Sequence, residues 1–289
     1  MLRVSLVGNF TWDMIHVNRL SYFCIGGPPS YASLSLLGAE GISLELLSNY
    51  SEAHDDFIKY LKERGIAVKG KRCSACDGFE IFGKKKRALR ITSLGCEVEG
   101  DIESDALLVN GVSNEVSPQI ISQAKESGVG IIYVDPQGFI RRRKTGPVEY
   151  FRNDELLRAL RHVDYLKVNE RELRTLTGRT GPAGIEALRA LGARNIIYFR
   201  GNSIWFYGKD RKLELRIEPV NVFDGIGMGD IFDSGFLYGL LLDGPELGMA
   251  LGHLATIARP ERACILKAVS VRTLLDRAAE LRKNISKAS

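Results

Sequence analysis

A chain of 289 residues with 45% hydrophobic and 26% charged residues can bury the core of one large α/β domain or two modest ones, which excludes disorder along its length. The net charge of +5 is spread out except in Lys84-Lys85-Lys86-Arg87 and Arg141-Arg142-Arg143-Lys144, and neither run carries a nucleic-acid motif. Both are read as solvated surface, with contact to a substrate phosphate or nucleotide as the other reading.

The N-terminal Met1–Gly8 is a strand pattern without an apolar signal-peptide core or a small-residue cleavage site, and no apolar run reaches membrane length. A cytoplasmic protein with no nucleic-acid and no membrane partner is expected. In chain order, strands are predicted over Leu2–Gly8, Ile42–Leu47, Ala106–Asn110, Ile131–Asp135, Tyr165–Asn169 and Asn195–Phe199. Between them fall helices over Ser30–Leu37, Ala53–Arg64, Ser117–Glu126, Asp154–Arg161, Glu170–Thr177 and Ala183–Leu191. This alternation predicts an α/β fold with a mostly parallel central sheet covered by helices on both faces.

Two segments, about 10–25 and 77–98, read as short β pieces with no helix between them. Gly78–Gly83 and Arg87–Thr92 predict a hairpin with the basic tip Lys84–Lys86. Pieces that interrupt an α/β core and pair with each other suggest a small β lid. Gly201–Glu218 predicts another hairpin, and helices follow over Ile231–Leu242, Pro245–Ile257 and Val271–Arg282. Without a Pro/Gly/Ser linker, the expectation is a single domain over 1–289 with an inserted lid.

The most informative segment is Asp224-Gly225-Ile226-Gly227-Met228-Gly229-Asp230, placed between a strand pattern and an apolar helix. Alternate glycines let backbone approach a ligand without Cβ obstruction. The free N–H groups and positive dipole end of the following helix make an anion site there. A carboxylate beside an anion site is unfavourable unless it has a task, and Asp230 could accept the proton of an attacking hydroxyl. The plainer reading is a glycine-rich turn with Asp230 as a first-turn charge. There is no G-x-x-x-x-G-K-[ST] and no G-x-G-x-x-G, which sets aside P-loop and dinucleotide-binding enzymes.

Asp224–Asp230 resembles the D-T-x-G-A-G-D signature of the ribokinase/PfkB kinases, with Gly225 in place of threonine and Met228 in place of alanine. The similarity continues along nearly the whole chain. Gly8-Asn9-Phe10-Thr11-Trp12-Asp13 resembles the strand end whose aspartate holds substrate hydroxyls, and Gly26-Gly27-Pro28-Pro29-Ser30-Tyr31-Ala32 the family's G-G-x-x-x-N-x-A. Asp135-Pro136, Asn169-Glu170-Arg171-Glu172 and Phe199-Arg200-Gly201 are similar to its D-P, its N-x-x-E and its phosphate-side strand end. Asp135–Phe139 with the arginines after it also resembles archaeal members and inositol kinases.

The resemblance implies a ribokinase-like, ATP- and Mg²⁺-dependent kinase that phosphorylates a hydroxyl of a sugar or related polyol. An inositol or nucleoside kinase and a non-catalytic nucleotide- or sugar-binding homologue are the alternatives. It implies Asp230 as base, with Gly227, Met228 and Gly229 cradling the transferred group, and Asp13, Gly26, Gly27 and Tyr31 around the acceptor. The nucleotide side would comprise Asn169, Glu172, Gly201, Asp224, Gly225 and Gly227, with Asn169 and Glu172 holding Mg²⁺ through water. Asn169 to Glu172 also has capping-box spacing, and both roles are compatible. Tyr31 departs from the family's sugar-binding asparagine, and Ser203 from a common glycine; Ala255–Cys264 is only loosely similar. Lid-mediated homodimers occur in the family, so a homodimer stands beside a monomer. Of five cysteines, Cys24, Cys73, Cys76 and Cys96 fall on or beside the lid, where a zinc site, disulfides or buried thiols are the alternatives.

Overall fold

The computed structural model describes residues 1–83, 88–217, 225–258 and 270–287. The basic tip Lys84–Arg87, together with Asp224 and most of Ala255–Cys264, therefore lies outside the described residues. The elements run β1 (Leu2–Val7), β2 (Thr11–Val17), β3 (Leu20–Gly26), α1 (Pro28–Ser35), β4 (Ile42–Leu47), α2 (Asp55–Lys62), β5 (Ala67–Val68), β6 (Gly78–Phe82), β7 (Ala88–Ser93), β8 (Ala106–Asn110) and α3 (Gln119–Glu126). They continue with β9 (Ile131–Asp135), β10 (Gly146–Pro147), α4 (Asp154–Ala159), β11 (Tyr165–Asn169), α5 (Glu170–Thr177), α6 (Gly181–Ala190), β12 (Asn195–Arg200), β13 (Ser203–Tyr207), β14 (Lys212–Arg216), α7 (Met228–Ala258), α8 (Leu275–Leu281) and β15 (Ser286–Lys287).

The large sheet has the order β15-β14-β13-β12-β11-β9-β8-β1-β4-β5; it is parallel from β12 to β5 and antiparallel from β12 to β15. Because successive side chains on a strand point to opposite faces, both faces of its central strands are apolar. Val4, Leu6, Ala106 and Leu108 join the core under α1, α2, α7 and α8, whereas Val7, Leu107, Val109, Ile132 and Val134 join the core under α3–α6.

The expected strands of the α/β core all appear, and Gly201–Glu218 contains the β13–β14 hairpin at one side of the sheet. A second sheet, in the order β10-β7-β6-β2-β3, is made from the two segments that break the α/β rhythm, extended by β10 from the stretch after the arginine run. Near its root Cys73 is disulfide-bonded to Cys96, while Cys24 and Cys76 remain thiols. The four cysteines therefore do not assemble as a zinc site. Among the described residues no helix is long and apolar enough to cross a membrane.

Helix α7 is interrupted at Asp243 and Gly244, whose backbone is not helical, so the chain folds back and its two halves pack together. Glycines line that contact. A Cβ on Gly239 would stand 2.7 Å from the backbone nitrogen of Gly248, and one on Gly235 would stand 2.9 Å from the Cα of Gly252. Ordinarily Gly→Ala inside a helix stabilises by about 1 kcal/mol. Here Gly239→Ala should destabilise by about 1–3 kcal/mol, because backbone must shift to admit the methyl group. Thermal or denaturant unfolding of the variant checks the sign.

Candidate active site

Strand register brings the polar residues of the site into a row. Asn110 pairs with Asp135 across β8 and β9, and Val134 pairs with Leu166 across β9 and β11, so Lys167 follows beside Asp135. Asn110, Tyr133, Asp135 and Lys167 alternate with residues of the α3–α6 core and therefore project from the opposite face, toward the first turns of α7. There they meet Asp230 and Asp233, one helical turn apart on the same side of α7.

The Lys167 ammonium lies 2.5 Å from Asp135 Oδ2 and 2.8 Å from Asp233 Oδ2. Tyr133 Oη donates to Asp233 Oδ1 at 2.6 Å. Asn110 Nδ2 donates to Asp230 Oδ1 at 3.0 Å and to Asp233 Oδ2 at 3.1 Å. All of these groups are buried. Burial by itself would depress Lys167, but the carboxylates of Asp135 and Asp233 outweigh it and hold the ammonium well above its ordinary range. Asp135, Asp230 and Asp233 lie close enough together to suggest a metal cluster, yet the lysine already supplies their cation.

Two cavities meet at the start of α7. The smaller, about 90 Å³, is lined by Thr11, Asp13, Tyr31, Gln137, Arg141 and Asp230, with apolar contributions from Phe79, Ile81, Leu89 and Ile226. Asp13 is held by Thr11 Oγ1 at 2.9 Å and by the backbone N–H of Phe79 at 3.2 Å. Gly26 is required behind it, since a Cβ there would lie 2.2 Å from Asp13 Oδ2. Gly27, at φ 85°, precedes α1, and Gly227, at φ 72°, lies under the Tyr31 ring, whose Cγ a Cβ would approach to 2.6 Å. Burial pushes Asp13 up to about 7. Burial also pushes Asp230 up to about 6, with Asp135 adding to the shift and Lys167, the Asn110 amide and Arg141 opposing it.

The larger cavity, about 370 Å³, is lined by Lys167, Asn169, Gly201, Asn202, Met228, Gly229, His253 and Thr256, with apolar walls from Phe199, Ile204, Ile217 and Phe232. Asn169 and Glu172 form a complete capping box at the start of α5. Asn169 Oδ1 accepts from the N–H groups of Arg171 and Glu172, while Glu172 accepts from Asn169 N at 2.8 Å and Asn169 Nδ2 at 2.6 Å. Glu172 is buried behind Asn169, and burial raises its carboxyl.

The structure thus brings Asp13, Gly27, Tyr31, Gly227 and Asp230 together around one cavity, and Asn169, Gly201, Met228 and Gly229 around the other. Gly225 opens the turn at φ 65° and lines neither. One surface reading needs correction. Arg141 is buried, donates to Val112 O at 3.0 Å and lines the smaller cavity, and Arg143 is paired with the fully buried Asp77 at 3.1 Å. Asn110, Lys167 and Asp233 went unread in the sequence. A lysine in the centre of an otherwise apolar strand, Tyr165-Leu166-Lys167-Val168, was the available signal.

A model described as pfkB family carbohydrate kinase matches residues 101–258. Among solved structures, a pyrophosphate-dependent kinase in the ribokinase family, complexed with a pyrophosphate analog and myo-inositol, superposes with a TM-score of 0.76 at 19% identity, covering 92% of this chain and 100% of that one. Ribokinase from Thermotoga maritima gives 0.72 at 18% identity, over 97% and 100% of the two chains. Fructokinase from Vibrio cholerae O395, in fructose, ADP and calcium ion bound form, gives 0.71 at 18% identity, over 96% and 98%. These likenesses show the ribokinase-like fold.

The Lys167 cluster generates a stability test. Removing one partner of a buried charge group leaves the others uncompensated, at a cost of about 3–5 kcal/mol. Lys167→Met should lose stability on that scale in denaturant unfolding, far more than loss of the exposed, solvent-screened Lys71–Glu99 pair.

Proposed function

The chain belongs to the pfkB family of carbohydrate kinases, and on that premise we propose that it moves the γ-phosphate of ATP onto a hydroxyl of a compact sugar or polyol, with Asp230 as the general base. The observation that carries the reading is the meeting of two cavities at the N-terminus of α7. Asp230 faces the smaller one, while Met228 and Gly229 face the larger.

In this reading the acceptor lies in the smaller cavity, with its hydroxyls on Asp13 and the attacking one on Asp230. Gln137 and Arg141 add polar contacts on the other side. A space of about 90 Å³ roofed by Tyr31 suits a single compact ring better than a nucleoside. Myo-inositol and fructose, named with two of the similar structures, are acceptors of that size class. The donor lies in the larger cavity. Its apolar wall of Phe199, Ile204, Ile217 and Phe232 favours a nucleotide over bare pyrophosphate, which offers nothing for such a wall to contact.

Asp230 takes the acceptor proton, the freed oxygen pair forms the new P–O bond, and the bond to the leaving diphosphate breaks with its electrons going to ADP. Backbone N–H groups of Gly227, Met228 and Gly229, at the start of α7, face the charge that develops on the transferred group. The Glu172 carboxylate already accepts from the N–H groups of Asn169, and Asn169 Oδ1 from the α5 backbone, so they fit Mg²⁺ through its water shell, the mode this ion favours. Bound there, Mg²⁺ would neutralise charge on the donor phosphates. The second sheet supplies Thr11, Asp13, Phe79, Ile81 and Leu89 to the acceptor cavity, and in this reading it is a lid that keeps water from the transferring group.

ADP release with Mg-ATP, and phosphate release with Mg-pyrophosphate, measured against a panel of hexoses, inositols, sugar acids and nucleosides, tests donor and acceptor together. Turnover is expected with ATP and a single-ring acceptor. Asp230→Asn should lower kcat roughly 10³-fold while ATP binding, measured by calorimetry, stays near wild type. Near-normal turnover in that variant would remove Asp230 from the role of base.

The pH dependence follows from the raised carboxyl of Asp230. It must be ionised to accept a proton, so kcat/KM, which reports the free enzyme, should rise with pH through about 6 and fall as pH drops below that value. An acid limb near 4, the ordinary carboxylate range, would show that the base is not this buried group.

A further inference from the structure

We propose that Asn110, at the C-terminal end of β8, is a positioning residue for phosphoryl transfer: its side-chain N–H groups hold one oxygen of Asp230 and leave the other for the acceptor hydroxyl. The inference rests on the reading of Asp230 as base.

The geometry is that of a forked donor. Asn110 Nδ2 donates to Asp230 Oδ1 at 3.0 Å and to Asp233 Oδ2 at 3.1 Å, so both amide hydrogens are used. Asp233 is itself fixed on three sides, by Tyr133 Oη at 2.6 Å, by Lys167 Nζ at 2.8 Å and by the amide of Asn110. It does not touch the acceptor cavity. Asp233 thus acts as an anchor that sets which way the amide faces. Reversing the amide would turn its oxygen toward two carboxylates, a repulsive contact, so the orientation is dictated by the surroundings. The amide oxygen, which is buried, finds no protein partner among the described residues. The side chain therefore forgoes an acceptor bond in order to make its two donor bonds, and it is held by the carboxylates.

The placement has a catalytic consequence. Asp230 is buried and lines the acceptor cavity, where a free carboxylate could turn either oxygen, or both, toward a polyhydroxylated ring. Engaging Oδ1 from behind gives the base one presented oxygen. A hydrogen bond to the ionised form also favours ionisation, against the burial that opposes it. The charged groups that face Asp230 are Lys167 and Asp135 from the strand ends, Arg141 from the loop after β9, Asp13 from the second sheet and Asp233 from its own helix. Asn110 is the neutral hydrogen-bonding group among them.

The test is the pH–rate profile of Asn110→Leu and Asn110→Asp, measured in the full chain with the acceptor found in the panel. Asn110→Leu removes the donor, and its acid limb should move up by about one pH unit, a tenfold loss of rate below the limb. Asn110→Asp preserves the shape but sets a like charge against Asp230, so its limb should move up further, by about two units. Acceptor KM should stay within about threefold of wild type in both. A limb that does not move in either variant, or a rise in KM with an unmoved limb, assigns Asn110 to building the pocket and overturns the proposal. The same holds for a larger shift in Asn110→Leu than in Asn110→Asp. Asp230→Asn, run alongside, separates the two ideas, since activity surviving there defeats the assignment of the base, whatever Asn110 does.

Discussion

The site depends on the buried ammonium of Lys167. Asp135, Asp230 and Asp233 lie within reach of one another beneath a helix start, shielded from solvent, and three such carboxylates would repel one another and resist ionisation. Lys167 makes the arrangement possible by pairing directly with two of them and lowering the third through space. Burial of the lysine carries its own cost, which the short contacts to Asp135 and Asp233 offset. Under the proposed role, the ammonium lets the Asp230 carboxylate ionise near neutral pH at a helix start where donor phosphates would sit, which is the central electrostatic difficulty in activating a hydroxyl beside a polyphosphate.

The fold supplies this cluster through strand register. Parallel strands end together at one edge, and their pleat sends every second residue to the α7 side, so Asn110, Asp135 and Lys167 arrive as neighbours although they lie far apart in the chain. The helix start then lies over that row. The folded-back halves of α7 pack on each other through close contacts at Gly239 and Gly248 that leave no room for a Cβ.

The core strands, the alternation of strand and helix and the glycine-rich turn before Asp230 were all legible, because each rests on local periodicity or on backbone requirements. The small strands β5, β10 and β15 were not, since two residues carry no period and their pairing is fixed by partners elsewhere. The choice of Cys96 as partner of Cys73 was equally hidden. Arg141 and Arg143 were misread for a related reason. A run of four basic residues looks solvated, but the loop carrying it passes between the two sheets, so alternate members turn inward, Arg141 to the smaller cavity and Arg143 to Asp77, while Arg142 and Lys144 stay exposed. Asp233 could not be distinguished from an ordinary helical residue until the sheet beneath it was known.

The inward Arg143 also belongs to a network that fixes the smaller cavity although it is built from distant segments. Asp77, at the root of the second sheet, accepts from Ser113 Oγ at 2.6 Å, from Asn9 Nδ2 at 2.8 Å and from Arg143 Nη1 at 3.1 Å, while Arg143 Nη2 reaches Gly95 O and Asn9 Nδ2 reaches Cys96 O. These bonds tie both ends of the β6–β7 hairpin to the ends of β1 and β8. Two residues beyond Asp77, the backbone N–H of Phe79 holds Asp13. The Asp13 carboxylate is thereby referenced to the same strand ends that carry Asn110 and, through it, Asp230. Asp13 and Asp230 are held by one frame of buried hydrogen bonds across two sheets, and under the proposed reaction discrimination among similar hydroxyls requires those two carboxylates to keep a fixed relation to each other.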